Sequence, residues 1–152
     1  MPKVFTSKTQ KTGEIGENIA IKFLVKHGFS ILDRNYTKKW GEIDIIAEKA
    51  NKLYFIEVKS VASADAKALT NRRESVSCGT NDNYRPEDNM HPWKLKRLSR
   101  TIQTYLLSPP SLKLRRAGKK IEEMEWQVDL LVVFLDIKNK KAKIKVVSDI
   151  IL

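Results

Sequence analysis

The residues best placed to do chemistry lie in Gly41–Ser60, which reads GEIDIIAEKANKLYFIEVKS. Asp44 is set among Ile43, Ile45, Ile46 and Ala47. Glu57 is set among Tyr54, Phe55, Ile56 and Val58, with Lys59 two residues further on. A strand has no need of acids in such apolar surroundings in order to fold. Strand side chains alternate between faces, so Glu57 and Lys59 share one face. The spacing predicts a hairpin that turns at Ala50-Asn51, between Lys49 and Lys52. That register sets Asp44 opposite Glu57 and gathers Asp44, Glu57 and Lys59 into one cluster, whereas a slip of one residue would send Asp44 to the other face. Two carboxylates and an ammonium on a half-buried sheet are costly to desolvate unless they are paired or bind a cation. Two carboxylates beside backbone carbonyls suit Mg²⁺, a hard ion that prefers oxygen ligands.

Other elements must hold this cluster in place. The periodicity predicts a helix over 13–27, stopped at Gly28, with an apolar stripe of Ile15, Ile19, Ala20, Phe23 and Leu24. Glu17 falls at the edge of that stripe and can lean toward the sheet, while Glu14 points outward. Strands are expected at 30–36, 42–48 and 53–60. Residues 61–90 show no period, are rich in Ser, Ala, Asn, Asp and Arg, and read as a long loop. The loop leaves the strand that ends at Lys59, so its Lys67, Arg72, Arg73 and Arg85 could close over a phosphate backbone. Pro92 suits the first position of a helix that runs to Leu107. That helix buries Leu95, Leu98, Ile102, Tyr105 and Leu106 and shows Lys94, Lys96, Arg97 and Arg100. A long strand over 125–137, whose Leu130–Leu135 run is apolar on both faces, and a hairpin at Asn139-Lys140 into 143–148 complete the order αβββαββ. The expected organisation is a flexible basic tail over 1–12 and one α/β domain over 13–152. Trp40, Trp93 and Trp126 read as core residues, with base stacking at Trp40 as the alternative.

The chain of 152 residues carries 29 Lys+Arg against 18 Asp+Glu, a net charge of +11. So strong an excess points to a polyanionic partner, nucleic acid first. Cys78 is the single cysteine, which excludes an internal disulfide. With only His27 and His91 beside it, no zinc site of the usual Cys/His kind can be built. The opening MPKVFTSKTQK has no apolar core of a secretory signal, and no run approaches the roughly 18 apolar residues that span a bilayer. A reduced, cytoplasmic protein is expected.

GEID, a short hairpin and then FIEVK resemble the YraN-type family of small bacterial proteins. That family is assigned to the PD-(D/E)xK, or restriction-endonuclease-like, fold and is similar to Holliday-junction resolvases. The resemblance continues through Gly13-x-x-Gly16-Glu17-x-x-Ala20, Gly28-Phe29-x-Ile31-Leu32-x-x-Asn35, Lys94-x-x-Arg97-Leu98 with Tyr105-Leu106, and Val128-Asp129-Leu130-Leu131-Val132. It implies a mixed sheet flanked by helices and hydrolysis of DNA phosphodiester bonds with Mg²⁺ (or Mn²⁺), on branched or single-stranded forms. Asp44 and Glu57, with the Val58 carbonyl, would be the metal ligands. Lys59 would orient the attacking water or offset phosphate charge, and Glu17 would be an outer ligand. Lys94, Arg97, Arg72 and Arg73 are the candidate contacts to nucleic acid, and a resolvase-like role would call for a homodimer. Two departures stand out. Val61 occupies a position where the family usually has a basic residue, and the stretch from Lys59 to Lys94 is longer than usual. The alternative reading is a non-catalytic nucleic-acid-binding module that keeps the nuclease fold.

Overall fold

The computed structural model describes residues 8–62, 90–107, 118, 120–136 and 138–152. Five strands form one sheet in sequential order: β1 (Ser30–Lys38), β2 (Gly41–Lys49), β3 (Lys52–Ala62), β4 (Glu125–Asp136) and β5 (Lys141–Val147). Helices α1 (Lys8–Lys26) and α2 (Pro92–Leu107) complete the order αβββαββ. β3 and β4 run parallel and the other neighbours antiparallel, so the sheet is mixed. A parallel pair cannot be closed by a hairpin, and α2 lies in the connection between its two strands.

Strand alternation sorts the core into two layers. Leu53 and Phe55 of β3 pack with Leu98, Ile102 and Tyr105 of α2. Tyr54, Ile56 and Val58 turn the other way, to Ala20 and Leu24 of α1. β4 is buried from Val128 to Leu135, as the apolar run Leu130–Leu135 requires, with Asp129 the one charged residue in that stretch. From the turn out to Ile45 and Ile56 the hairpin has the expected register, with Lys49 facing Lys52, but the ladder stops there and the expected Asp44–Glu57 pair is not part of it. Ala50 and Asn51 have φ of 49° and 62°, the left-handed pair that suits a two-residue turn to the twist of its strands. Gly28, at φ 86°, ends the first helix while the Phe29 N–H donates back to the Leu24 carbonyl.

Three expectations are corrected. α1 begins at Lys8, so residues 8–12 are helical and not part of a tail; residues 1–7 lie outside the described residues. Val61 and Ala62 belong to β3, where they pair with Phe134 and Leu135, so the expected loop starts later than 61; at its other end Met90 is outside any helix or strand but packs against the core. The remainder of that stretch, 63–89, lies outside the described residues, as do Arg72, Arg73 and Cys78. Ile15 is 48% exposed. The packed face of α1 is centred instead on Gly16, Ala20 and Leu24, because a glycine lets the helix backbone approach the sheet where an isoleucine would hold it away. Among the described residues, no helix is long and apolar enough to cross a membrane.

Candidate functional site

Asp44 sits where β2 leaves regular pairing. Ile43 packs with the α2-side cluster and Ile45 with the α1-side cluster, although strict alternation would put them on one face. The β2–β3 ladder reaches the Ile45–Ile56 pair. Beyond it, the Val58 N–H donates to Asp44 Oδ2 at 2.8 Å. The carboxylate thus takes over a contact that a backbone carbonyl would otherwise make, and this fixes its direction.

On the other side of the sheet, Gly16 brings α1 against β3. A methyl group at Gly16 would lie 1.7 Å from Ser60 Oγ and 2.9 Å from Ser60 Cβ. That close approach carries the next residue, Glu17, to the site. Arg34 of β1 holds Glu17 at 3.6 Å and also donates to Asn18 Oδ1 at 3.0 Å.

The result is a hollow of about 570 Å³ lined by Glu17, Glu42, Asp44, Glu57, Val58 and Lys59, with Thr12, Gly13, Ser60 and Ala62. Five residues expected at the site from sequence (Glu17, Asp44, Glu57, Val58 and Lys59) therefore line one hollow. Lys94 and Arg97 line an adjoining hollow of about 400 Å³, and Glu42 and Glu57 belong to both. Lys94 is more than a solvated cation, because its ammonium pairs with Glu57. Arg97 is anchored too, its Nε donating to the Trp40 carbonyl at 2.7 Å. Asp129 stands apart from the hollow. It accepts from Gln127 Nε2 at 2.7 Å and from the Asp149 N–H at 3.0 Å, a structural role.

Two members of the site escaped the sequence reading. Glu42 was in plain view within GEID, two residues before Asp44, and could have been found from alternation. Arg34 carried no signal, because only the packing of α1 beside β1 brings it to Glu17.

The electrostatics are those of a site that wants a cation. Asp44 is only 7% exposed. Burial, and then the charge of Glu57, push its pKa up from 3.8 to about 8; the Val58 hydrogen bond opposes this, and Glu17 and Glu42 add to it. Burial also raises Glu17, against the pull of Arg34 and Asn35. Among the described residues, no three Asp, Glu, His or Cys side chains are grouped so as to hold a metal by themselves. A cation here would need backbone help. Asp44, Glu57 and the Val58 carbonyl would offer it oxygen donors, the kind Mg²⁺ prefers. The Lys94 ammonium already sits on one of these carboxylates, as a stand-in positive charge.

Comparison with known proteins gives a family and several relatives. The family described as "Uncharacterised protein family UPF0102" matches residues 16–133, which span the Gly16–Glu17 contact, the hairpin, α2 and most of β4. A UPF0102 protein of Campylobacter hominis is 35% identical over 124 residues, covering 82% of this chain and 84% of that protein. One from Campylobacter jejuni subsp. doylei is 33% identical, covering 86% and 89%. One from Caldicellulosiruptor bescii is 28% identical, covering 92% and 96%. With the family matched from Gly16 of α1 through β2, β3 and α2 into β4, this chain belongs to the UPF0102 family.

Proposed function

We propose that this protein is a Mg²⁺-dependent endonuclease that hydrolyses DNA phosphodiester bonds, acting in the cytoplasm. The observation that carries the reading is the meeting of Glu17, Asp44, Glu57, Val58 and Lys59 in one hollow, bordered by Lys94 and Arg97, in a chain of net charge +11. Asp44, Glu57 and the Val58 carbonyl would hold the ion. When bound, Mg²⁺ would supply positive charge to the phosphate oxygens and a nucleophile at neutral pH. The chain's own groups do the rest. Lys59 orients the attacking water and offsets charge on the phosphate. Arg34 keeps Glu17 turned to the hollow as an outer ligand. Lys94, paired with Glu57 in the metal-free protein, would be available to a phosphate were that carboxylate engaged by an ion. On a four-way junction, symmetric resolution requires two cuts, so a homodimer belongs to the proposal for that substrate.

The Lys94–Glu57 pair also favours a second reading, a nucleic-acid-binding module without catalysis, in which the ammonium permanently fills the metal's place. A nuclease assay separates the two. Linear, single-stranded, flapped and four-way DNA are incubated with Mg²⁺ or Mn²⁺, with Asp44→Ala as control. The expected result is metal-dependent cleavage by the wild type alone. Binding without cleavage under every metal condition supports the module.

Binding itself should be strongly salt-dependent, because cations that neutralise phosphates release counterions, with a log–log slope of about −0.9 for each duplex phosphate contacted. Lys94→Gln with Arg97→Gln should flatten that slope by about 1–2. Neutral replacements are preferred to charge reversal, since Lys94→Glu would set a carboxylate against the half-buried Glu57. An affinity that is level from low to high salt would remove nucleic acid as the partner.

A further inference from the structure

A third hollow, of about 650 Å³, continues the second along α2. Trp93 and Arg97 line both. The furrow therefore runs from Asp44 through Glu57 and Lys94 to Trp93, Arg97 and Arg100, and its chemistry changes along the way. The first hollow has four carboxylates in its wall. The third has two tryptophans and three cations, Lys96, Arg97 and Arg100, and no carboxylate.

Trp93 is 59% exposed, although a tryptophan on a helix of this kind is expected in the core. It stands one residue before the lysine that pairs with Glu57. Trp93, Arg97 and Arg100 follow at helical spacing, so they form one stripe on α2. Both guanidiniums are held against rings: Arg97 at 5.9 Å from the Trp93 centroid and Arg100 at 4.6 Å from that of Trp40. Arg97 is fixed further by the Trp40 carbonyl. Two planar cations and an open indole are thus held in place before any ligand arrives, at the end of a furrow that leads from the acidic site.

We propose that this end of the furrow is a subsite for an unpaired nucleotide, whose base stacks on the Trp93 indole while Arg97 and Arg100 take the flanking phosphates. The proposal rests on the nucleic-acid reading above and deepens it, because it makes a single-stranded segment beside the cleaved phosphate part of the substrate. Charge complementarity selects a polyanion. The exposed aromatic face selects one with free bases, since bases paired within a duplex are already stacked on one another. Stacking on an aromatic side chain is worth about 1–3 kcal/mol per base, whatever the base.

The test measures binding without cleavage, with Ca²⁺ in place of Mg²⁺, to a fluorescent single-stranded oligonucleotide and to a blunt duplex of equal length. Trp93→Ala should weaken single-strand binding about tenfold, within the range that stacking supplies, and lower the ratio of single-strand to duplex affinity by a similar factor. Trp93→Leu keeps apolar bulk without a π face and should lose as much, while Trp93→Phe should recover part of the affinity. Trp126→Phe, on β4 at the edge of Phe55, should change neither binding. Quenching of tryptophan emission by the single strand should be largely lost in Trp93→Phe. Equal losses on single strand and duplex, or a Trp93→Leu variant that binds like wild type, would overturn the stacking site while leaving the nuclease reading intact. A wild type that binds neither DNA would overturn both.

Discussion

Asp44→Asn is expected to stabilise the metal-free protein at neutral and alkaline pH and to abolish DNA cleavage. The carboxyl of Asp44 is buried and feels the charge of Glu57, which together push its pKa from 3.8 up to about 8 in the folded protein. A raised acid binds its proton more tightly in the folded state than in the unfolded one. Between those two values the unfolded chain has released a proton that the folded chain still holds. Stability of the metal-free wild type therefore falls as pH rises from about 4 to about 8, by up to about 1.4 kcal/mol per pH unit, and is level above and below that window. The asparagine has no such term and can still accept from the Val58 N–H. Urea denaturation across pH should show wild type and variant converging near pH 3 and separating toward pH 8, with the variant more stable. Added Mg²⁺ should reverse the order by stabilising the wild type alone, since a bound ion needs the ionised carboxylate. Cleavage should fall about a thousandfold or more, because the ion supplies several kcal/mol to the transition state. A wild type whose stability is level from pH 5 to 8, or an asparagine variant that cleaves normally, would show that Asp44 is an ordinary structural acid.

The second large effect is expected at Gly16. A methyl group there would come within 1.7 Å of Ser60 Oγ and 2.9 Å of Ser60 Cβ. The hydroxyl can rotate away, but the Cβ cannot move unless β3 or α1 moves with it. Gly→Ala in an exposed helix would stabilise by up to about 1 kcal/mol. Here the overpacking, typically about 1–3 kcal/mol, should win. Moving α1 outward also withdraws Glu17 from the hollow, so activity should fall together with stability. Ser60→Gly removes both clashing atoms, and the double variant should be more stable than the sum of the single effects by about 1 kcal/mol or more, the size of coupling seen between residues in contact. Additive effects in that double-mutant cycle would mean that the helix does not rest on Ser60.

Much of this architecture was legible in local chemistry. The Ala50-Asn51 turn determined the register of β2 against β3 as far as Ile45 and Ile56, because turn geometry is a property of a few consecutive residues. Gly28 marked the end of α1, Pro92 the start of α2, and the Leu130–Leu135 run of β4 its place inside the sheet, between β3 and β5. Tertiary structure alone decided who meets whom. Asp44 turned to the Val58 N–H, Lys94 came to Glu57, and Arg34 came to Glu17. The same packing placed Gly16 against Ser60 and left Trp93 open at the end of the furrow. A period of residues along one element tells which way a side chain faces. Which distant element lies opposite depends on how two surfaces pack, and no stretch of the chain records that by itself.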